Sequence, residues 1–137
     1  MVASDIINFT FPHLKPSDSI QKAIDLMEDN HVSQLVLCEN NNYLGIISEQ
    51  NIDHILDYDS ILVDIMPNYP YIFANENEHI LETLSTVQAN DLQVIAVLDE
   101  EKKYIGSILT NELLQQFSKQ LGNQEIGAIS FTCSFGW

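Results

Sequence analysis

The sequence predicts an α+β fold made of two tandem copies of a β-α-β-β-α unit. The clearest observation is a repeated stretch: YLGIISEQNI, which begins at Tyr43, returns as YIGSILTNEL from Tyr104. Upstream of it, each copy has the apolar spacing of an amphipathic helix and then a short run of branched residues typical of a buried strand. Matching residues lie 59 to 61 positions apart, so the copies differ by single-residue insertions in turns.

Each copy begins with a short extended piece that carries aromatic residues and proline, NFTFPHL in the first and NYPYIF in the second. An amphipathic helix follows, with its apolar stripe starting at Ile20 in one copy and at Ile80 in the other. We predict Ser17 and Asn77 as the N-cap residues of these helices, because short polar side chains accept hydrogen bonds from the first free N–H groups.

Two strands and a closing helix complete each copy. The runs SQLVLCE and QVIAVLD are joined by the turns ENNN and DEEKK to the strands YLGIIS and YIGSIL, which predicts two hairpins. The closing helices are predicted to begin after Ser48 and after Leu109. The predicted units span residues 1–60 and 61–121, and residues 122–137 form a tail.

Charge excludes one class of partner. The chain has a net charge of −15, five lysines and no arginine, whereas nucleic-acid binding depends on neutralising phosphates. We therefore expect no nucleic-acid partner. No apolar run approaches the ~20 residues that span a bilayer, and the N-terminus lacks a signal-peptide layout. We expect a cytoplasmic protein without membrane contact. Two cysteines, Cys38 and Cys133, are too few for a disulfide scaffold.

No pattern of catalytic or metal-binding residues stands out. The four histidines (His13, His31, His54 and His79) have no ligand spacing with one another or with the cysteines. The aspartates of DHILDYDSILVD lack the glycine of a calcium loop, and no glycine-rich phosphate loop is present. We expect no catalytic residues, no metal site and no enzymatic activity.

The order of these elements, their duplication and the stretch GIISEQN, from Gly45 to Asn51, resemble the CBS domain pair, a regulatory module named after cystathionine β-synthase. HVSQLVLCENNNYLGIIS fits the family's strand-turn-strand lead-in, and LVDIMPNYPYIF fits the linker between its units. The resemblance covers residues 1–121. It implies two units packed as a pseudo-twofold module, with two related clefts that can hold AMP, ADP, ATP or S-adenosylmethionine as regulatory ligands.

The resemblance also implies site residues. In the family's motif the hydroxyl residue contacts phosphate and the residue three places later contacts ribose, which assigns these roles to Ser48 and Asn51. The second copy departs from the motif: Leu109 stands at the hydroxyl position, Thr110 follows one place later, and Glu112 stands at the ribose position. We expect at most one good cleft, around Ser48 and Asn51, with Thr110 and Glu112 as candidates in the second.

The residues themselves leave an alternative open. Serine at a helix start with a polar residue three places later is also a capping arrangement, so Ser48 and Asn51 could serve the helix rather than a ligand. With no arginine and five lysines, the chain favours AMP or the cationic S-adenosylmethionine over ATP, and no cofactor is required. We expect a homodimer that senses an adenosyl ligand; the alternative is a purely structural dimerisation module without a ligand.

The tail carries a separate pattern. ISFTCSFGW, from Ile129 to Trp137, alternates apolar and small or polar residues, which predicts a C-terminal strand with one apolar face. It could be the remnant of an ACT-type domain that follows some CBS pairs, a strand packed on its own module, or an arm that completes a dimer. We favour the arm.

Overall fold

The computed structural model of the chain describes residues 1–65 and 69–122. The predicted C-terminal strand, residues 129–137 with Cys133, lies outside the described residues, so it stays a prediction. After a 3-10 helix at Ala3–Ile6, the first unit contains α1 (Ile20–Asp29), β1 (Gln34–Glu39), β2 (Asn42–Ser48) and α2 (Glu49–Ile52). The second contains α3 (Leu62–Ile65), β3 (Phe73–Asn75), α4 (Ile80–Ala89), β4 (Val94–Leu98), β5 (Tyr104–Leu109) and α5 (Thr110–Gly122).

The two predicted hairpins are confirmed. β1 pairs with β2 antiparallel, and β4 pairs with β5 in the same way, while β3 runs parallel to β4. In the first hairpin Asn40 and Asn41 have φ values of 53° and 67°. A two-residue turn of this hand matches the right-handed twist of the strands, and asparagine tolerates positive φ better than most residues.

The leading strand of the first unit is much shorter than predicted. It is present only as a parallel bridge between Leu14 and Leu37, whereas the second unit has the full strand β3. Leu14 donates to Val36 O at 2.9 Å and accepts from the Cys38 N–H at 2.8 Å. Prolines at positions 12 and 16 flank it, and proline has no N–H to extend the ladder. The order β-α-β-β-α is therefore complete only in the second unit.

The predicted N-caps are wrong by two residues in both copies. Ser19 Oγ accepts from the Lys22 N–H at 3.1 Å, and His79 Nδ1 accepts from the Leu81 N–H at 3.0 Å. Ser17 and Asn77 lie instead within preceding turns, closed by Asp18 N to Lys15 O at 3.0 Å and by Glu78 N to Asn75 O at 3.1 Å. Each turn carries the chain two residues further before the helix begins.

The two units share their apolar core. The cluster centred on β4 also includes Val36, Cys38, Tyr43 and Ile46 from the first unit. A second cluster, built around α1, β1 and β2, fills the first unit. The sheets therefore pack on each other, as expected of two units in one pseudo-twofold module.

The leading segment of each unit crosses to the other unit's last strand. Asn8 N donates to Ser107 O at 2.8 Å, and Ile46 N donates to Pro70 O at 3.0 Å. Both crossings pass over the glycine of the repeated motif, Gly106 in one case and Gly45 in the other.

Among the helices of the described residues, none is long and apolar enough to cross a membrane.

Candidate functional site

Two clefts open at the boundary between the units. Cleft one has a volume of about 400 Å³ and is lined by Ser33, Gln34, Ser48, Glu49 and Gln50 from the first unit and by Asn90, Asp91 and Gln93 from the second. Cleft two has a volume of about 420 Å³ and is lined by Asn30, His31 and Val32 from the first unit and by Leu92, Gln93, Leu109, Thr110 and Asn111 from the second. Both volumes lie within the range of small-molecule sites.

The clefts are related by the internal repeat, as the turns that follow α1 and α4 show. Asn30 and Asn90 end these helices in the same way, with the side-chain amide donating to the carbonyl four residues earlier at 2.9 Å in each case. The next residues, His31 and Asp91, have φ values of 56° and 54°. The same turn therefore delivers a polar residue to each cleft, histidine in cleft two and aspartate in cleft one.

Side chains from both units hold the boundary beside the clefts. Gln34 Oε1 accepts from the Gln93 N–H at 2.6 Å, and Gln34 Nε2 donates to Asp91 O at 3.2 Å. Gln93 lines both clefts. The two clefts are therefore adjacent, and Gln93 is the lining residue that they share.

Ser48 lies where the sequence places it, at the end of β2 and before α2, and it lines cleft one. Asn51 is brought next to it, but its side chain serves the helix start: Asn51 Oδ1 accepts from the Ser48 N–H at 2.9 Å. Asn51 does not appear among the described residues that line cleft one. The capping arrangement left open by the sequence is therefore present, and Ser48 remains the motif residue that faces the cleft.

The second motif is occupied by contacts within the chain. Thr110 lines cleft two, and its Oγ1 donates to Leu92 O at 2.7 Å. Glu112 contacts the leading segment instead: its carboxylate accepts from Asn8 Nδ2, with the shorter distance 3.2 Å. Leu109 contributes an apolar wall where the motif would place a hydroxyl. The two polar residues of the second motif, Thr110 and Glu112, therefore already have partners within the chain.

The clefts differ in charge. Cleft one carries two acidic residues, Glu49 and Asp91, whereas the titratable residue of cleft two is His31. None of the five lysines lines either cleft. In the ranges 1–65 and 69–122 no group of three or more His, Cys, Asp or Glu residues could hold a metal ion. Among the lining residues, cleft one is therefore the more acidic of the two.

Sequence reasoning missed most of the cleft lining. Ser33, Gln34, Asn90, Asp91 and Gln93 carry no motif, and they meet only because the two turns after the first helix of each unit face each other. The signal that could have pointed to them is the matched pair Asn30 and Asn90, which lie 60 residues apart at the ends of equivalent helices.

Comparison with known proteins gives a family match for the first unit. Residues 3–58 match the model of the CBS domain. The chain is 27% identical over 117 residues to an inosine-5′-monophosphate dehydrogenase of Methanocaldococcus jannaschii. This alignment covers 85% of this chain and 22% of the dehydrogenase. It is 25% identical over 109 residues to an arabinose 5-phosphate isomerase of Francisella tularensis, covering 76% of this chain and 33% of the relative. The chain thus spans a third or less of these relatives.

This chain also resembles solved structures, and the similarity extends over almost the whole length of each of them. A CBS domain pair/ACT domain protein from Thermotoga maritima superposes with a TM-score of 0.78 at 18% identity, covering 88% of this chain and 99% of that one. CBSX2, a CBS-pair protein from Arabidopsis thaliana, gives a TM-score of 0.74 at 16% identity, with 89% and 96% covered. CBSX2 in complex with AMP gives 0.69 at 16% identity, with 86% and 96% covered. Residues 3–58 therefore match the CBS domain family, and the described part of the chain has the fold of a CBS domain pair.

Proposed function

We propose that this chain is a regulatory CBS pair without catalytic activity, and that it binds an adenosyl compound in cleft one. The observation that carries the proposal is the position of Ser48: it is the motif hydroxyl, and it lines a cleft of about 400 Å³ between the units. The AMP complex of CBSX2, a protein of the same fold, supports the ligand class.

Among the adenosyl compounds, the acidic residues of cleft one favour AMP or S-adenosylmethionine over ATP. ATP carries several negative charges that need cationic partners, whereas cleft one carries Glu49 and Asp91 and no lysine among its lining residues. A sulfonium cation would be attracted by these carboxylates, and a single phosphate would be repelled less than three.

The test is a thermal-shift series with AMP, ADP, ATP, adenosine, S-adenosylmethionine and its neutral analogue S-adenosylhomocysteine. A ligand at 100 times its dissociation constant adds about 2.7 kcal/mol of stability, which corresponds to roughly 5–15 °C for a domain of this size. We expect a shift with AMP or S-adenosylmethionine that is lost in Ser48→Ala and kept in Thr110→Ala, the matched change in cleft two. A preference for S-adenosylmethionine over S-adenosylhomocysteine that disappears in Glu49→Gln would assign the charge selection.

A purely structural dimerisation module is the second candidate. Its supporting observation is that the Asn51 amide, the Thr110 hydroxyl and the Glu112 carboxylate already have partners within the chain. On this proposal no adenosyl compound shifts the melting temperature, Ser48→Ala changes only the stability of the helix start, and sedimentation shows a homodimer. Tight ATP binding without a response to AMP or S-adenosylmethionine would contradict both candidates.

A further inference from the structure

The closing helices of the two units differ in length, and the difference leaves apolar side chains uncovered. α2 has 4 residues and α5 has 13. With the copies aligned on the motif glycines, Ile52 matches Leu113, and both are fully buried. One turn later, Leu56 matches Phe117. Phe117 packs against the core, whereas Leu56 is 97% exposed.

Local chemistry ends α2 early. The residues after Ile52 include Asp53, His54 and Asp57, which have lower helix propensity than the leucines and glutamines of α5. Asp57 also directs the chain into a turn, because its Oδ1 accepts from the Asp59 N–H at 3.0 Å and its carbonyl accepts from the Ser60 N–H at 3.1 Å. Short polar side chains of this kind compete with the helix for backbone N–H groups.

The segment that follows is fixed to the module. Tyr58 O accepts from the Gln21 N–H at 3.0 Å, and Ser60 O accepts from the Ile20 N–H at 2.9 Å. Four apolar side chains of this segment nevertheless point to solvent: Leu56 at 97%, Tyr58 at 46%, Ile61 at 38% and Val63 at 51% exposure. We call these four residues the 56–63 surface. Four exposed apolar side chains within eight residues are a denser group than the singly scattered ones that are normal on protein surfaces, which makes this segment a candidate binding surface.

The charge around this surface identifies the kind of partner. Four aspartates belong to the same stretch (Asp53, Asp57, Asp59 and Asp64), and residues 49–64 contain no lysine or arginine. The segment hydrogen-bonded to this stretch, residues 16–21, is flanked by Lys15 and Lys22, and Lys22 is paired with Asp18 at 3.6 Å. Anionic lipids and nucleic acids would be repelled by such a surface. A second copy would bring the same carboxylates together, because a twofold contact places identical patches face to face. A partner with basic residues beside an apolar face has the complementary charge.

We propose that the 56–63 surface docks a basic amphipathic helix of a partner protein. Leu56 and the other three apolar residues contact the apolar face of that helix, and the four aspartates pair with its lysines or arginines. Amphipathic helices bind many partner proteins in this way, with their apolar face against an apolar surface. Docking of this helix requires no ligand in cleft one. Failure of the adenosyl-ligand proposal would therefore leave this proposal unaffected, and the reverse also holds.

The probe is a fluorescein-labelled peptide of leucine and lysine, about 18 residues long so that it forms five helical turns, with leucine along one face. A scrambled peptide of the same composition controls for charge alone. We expect fluorescence anisotropy with the full chain to show at least tenfold tighter binding of the amphipathic peptide. The variant Leu56→Ser with Val63→Ser should weaken that binding at least tenfold, because it removes apolar contact from an already exposed surface.

Leu81→Ser is the matched control, since Leu81 is a leucine of α4 that is 57% exposed, and it should leave the affinity unchanged. Asp53→Asn with Asp64→Asn should weaken binding several-fold and reduce its dependence on salt. Equal affinity for the scrambled peptide, or an unchanged affinity in the Leu56/Val63 variant with native circular dichroism, overturns the proposal. So does the absence of peptide binding together with a dimer that the Leu56/Val63 variant dissociates, which would assign the surface to a second copy.

Discussion

Ser33 and Gln93 occupy equivalent positions in the two units and are hydrogen-bonded to each other. The Ser33 N–H donates to Gln93 Oε1 at 2.6 Å, and Gln93 Nε2 donates to Ser33 Oγ at 3.3 Å. Because one residue is long and the other short, a contact between equivalent positions becomes asymmetric. The pair joins the two units, and both of its residues line cleft one. The shape of cleft one therefore depends on how the two units pack against each other.

The first prediction concerns this pair. Gln93→Ala removes both hydrogen bonds to Ser33 and should lower the free energy of unfolding by about 1 kcal/mol, the usual net value of a partly exposed hydrogen bond. Urea unfolding followed by circular dichroism measures the change. Gln88→Ala is the control, because Gln88 is an exposed glutamine on α4, and it should stay within about 0.5 kcal/mol of the parent. An equal loss in the two variants would contradict the role of Gln93.

The second prediction concerns the glycines under the crossing segments. A Cβ on Gly106 would lie inside the van der Waals contact of Ile7 Cγ2, so Gly106→Ala should cost about 1–3 kcal/mol. Ile7→Ala removes that methyl group, and the double variant should recover at least about 0.5 kcal/mol relative to the sum of the single changes. A double-mutant cycle based on urea unfolding measures this coupling.

Gly45 gives the contrasting case. There a Cβ would lie 2.6 Å from Tyr69 Cβ and 2.9 Å from Pro70 O, and Tyr69→Ala keeps both of these atoms. The corresponding cycle should therefore show no recovery. Recovery at Gly45, or additivity at Gly106, would show that the close approach is not the source of the cost.

The third prediction concerns the hydrogen bond between the buried Thr83 and the half-buried Glu78 in the second unit. Thr83 is fully buried, and its Oγ1 donates to Glu78 Oε2 at 2.7 Å. Thr83→Val keeps the shape but removes the donor, so it should lower the free energy of unfolding by about 1.5–3 kcal/mol, the range for a hydrogen bond to a charged group. Thr86→Val, on the same helix with a hydroxyl bonded to Glu82 O, should cost less than about 0.5 kcal/mol. Similar costs for both would contradict the prediction.

The fourth prediction concerns alkaline pH. Burial raises the pKa of Tyr104 to about 12, and a hydrogen bond with Ser107 opposes this only in part. Burial also raises the pKa of Tyr43. Since an unfolded tyrosine has a pKa of about 10, the native state holds these protons more tightly. The resulting stability is fully present below about pH 10 and is lost as the pH rises towards 12.

The slope of unfolding free energy against pH measures this effect. We expect a loss of up to about 1.4 kcal/mol per pH unit above pH 10 for each of these two tyrosines, and a shallower slope in Tyr104→Phe. Tyr58→Phe, at a tyrosine that is 46% exposed, serves as the control. A slope unchanged in Tyr104→Phe would show that this tyrosine does not carry the alkaline sensitivity.

The repeat allowed much of the architecture to be predicted. Both hairpins and the closing helices after Ser48 and Leu109 were predicted from local signals, which are apolar period, turn residues and branched side chains, and the structure confirms them. The helix caps were wrong by two residues, because the turns that close at Asp18 and Glu78 are formed by backbone and side-chain bonds that compete with an earlier helix start.

What the sequence determined by itself is the pair of units and the position of the motif, because period and turn chemistry act between neighbours along the chain. Only the tertiary structure decided which residues form the clefts. Gln34 and Gln93 lie far apart in sequence and meet because the two sheets pack on each other. It also decided that Leu56 stays exposed while Phe117 packs, since the fate of an apolar side chain depends on where its helix ends and on what surface lies beneath it.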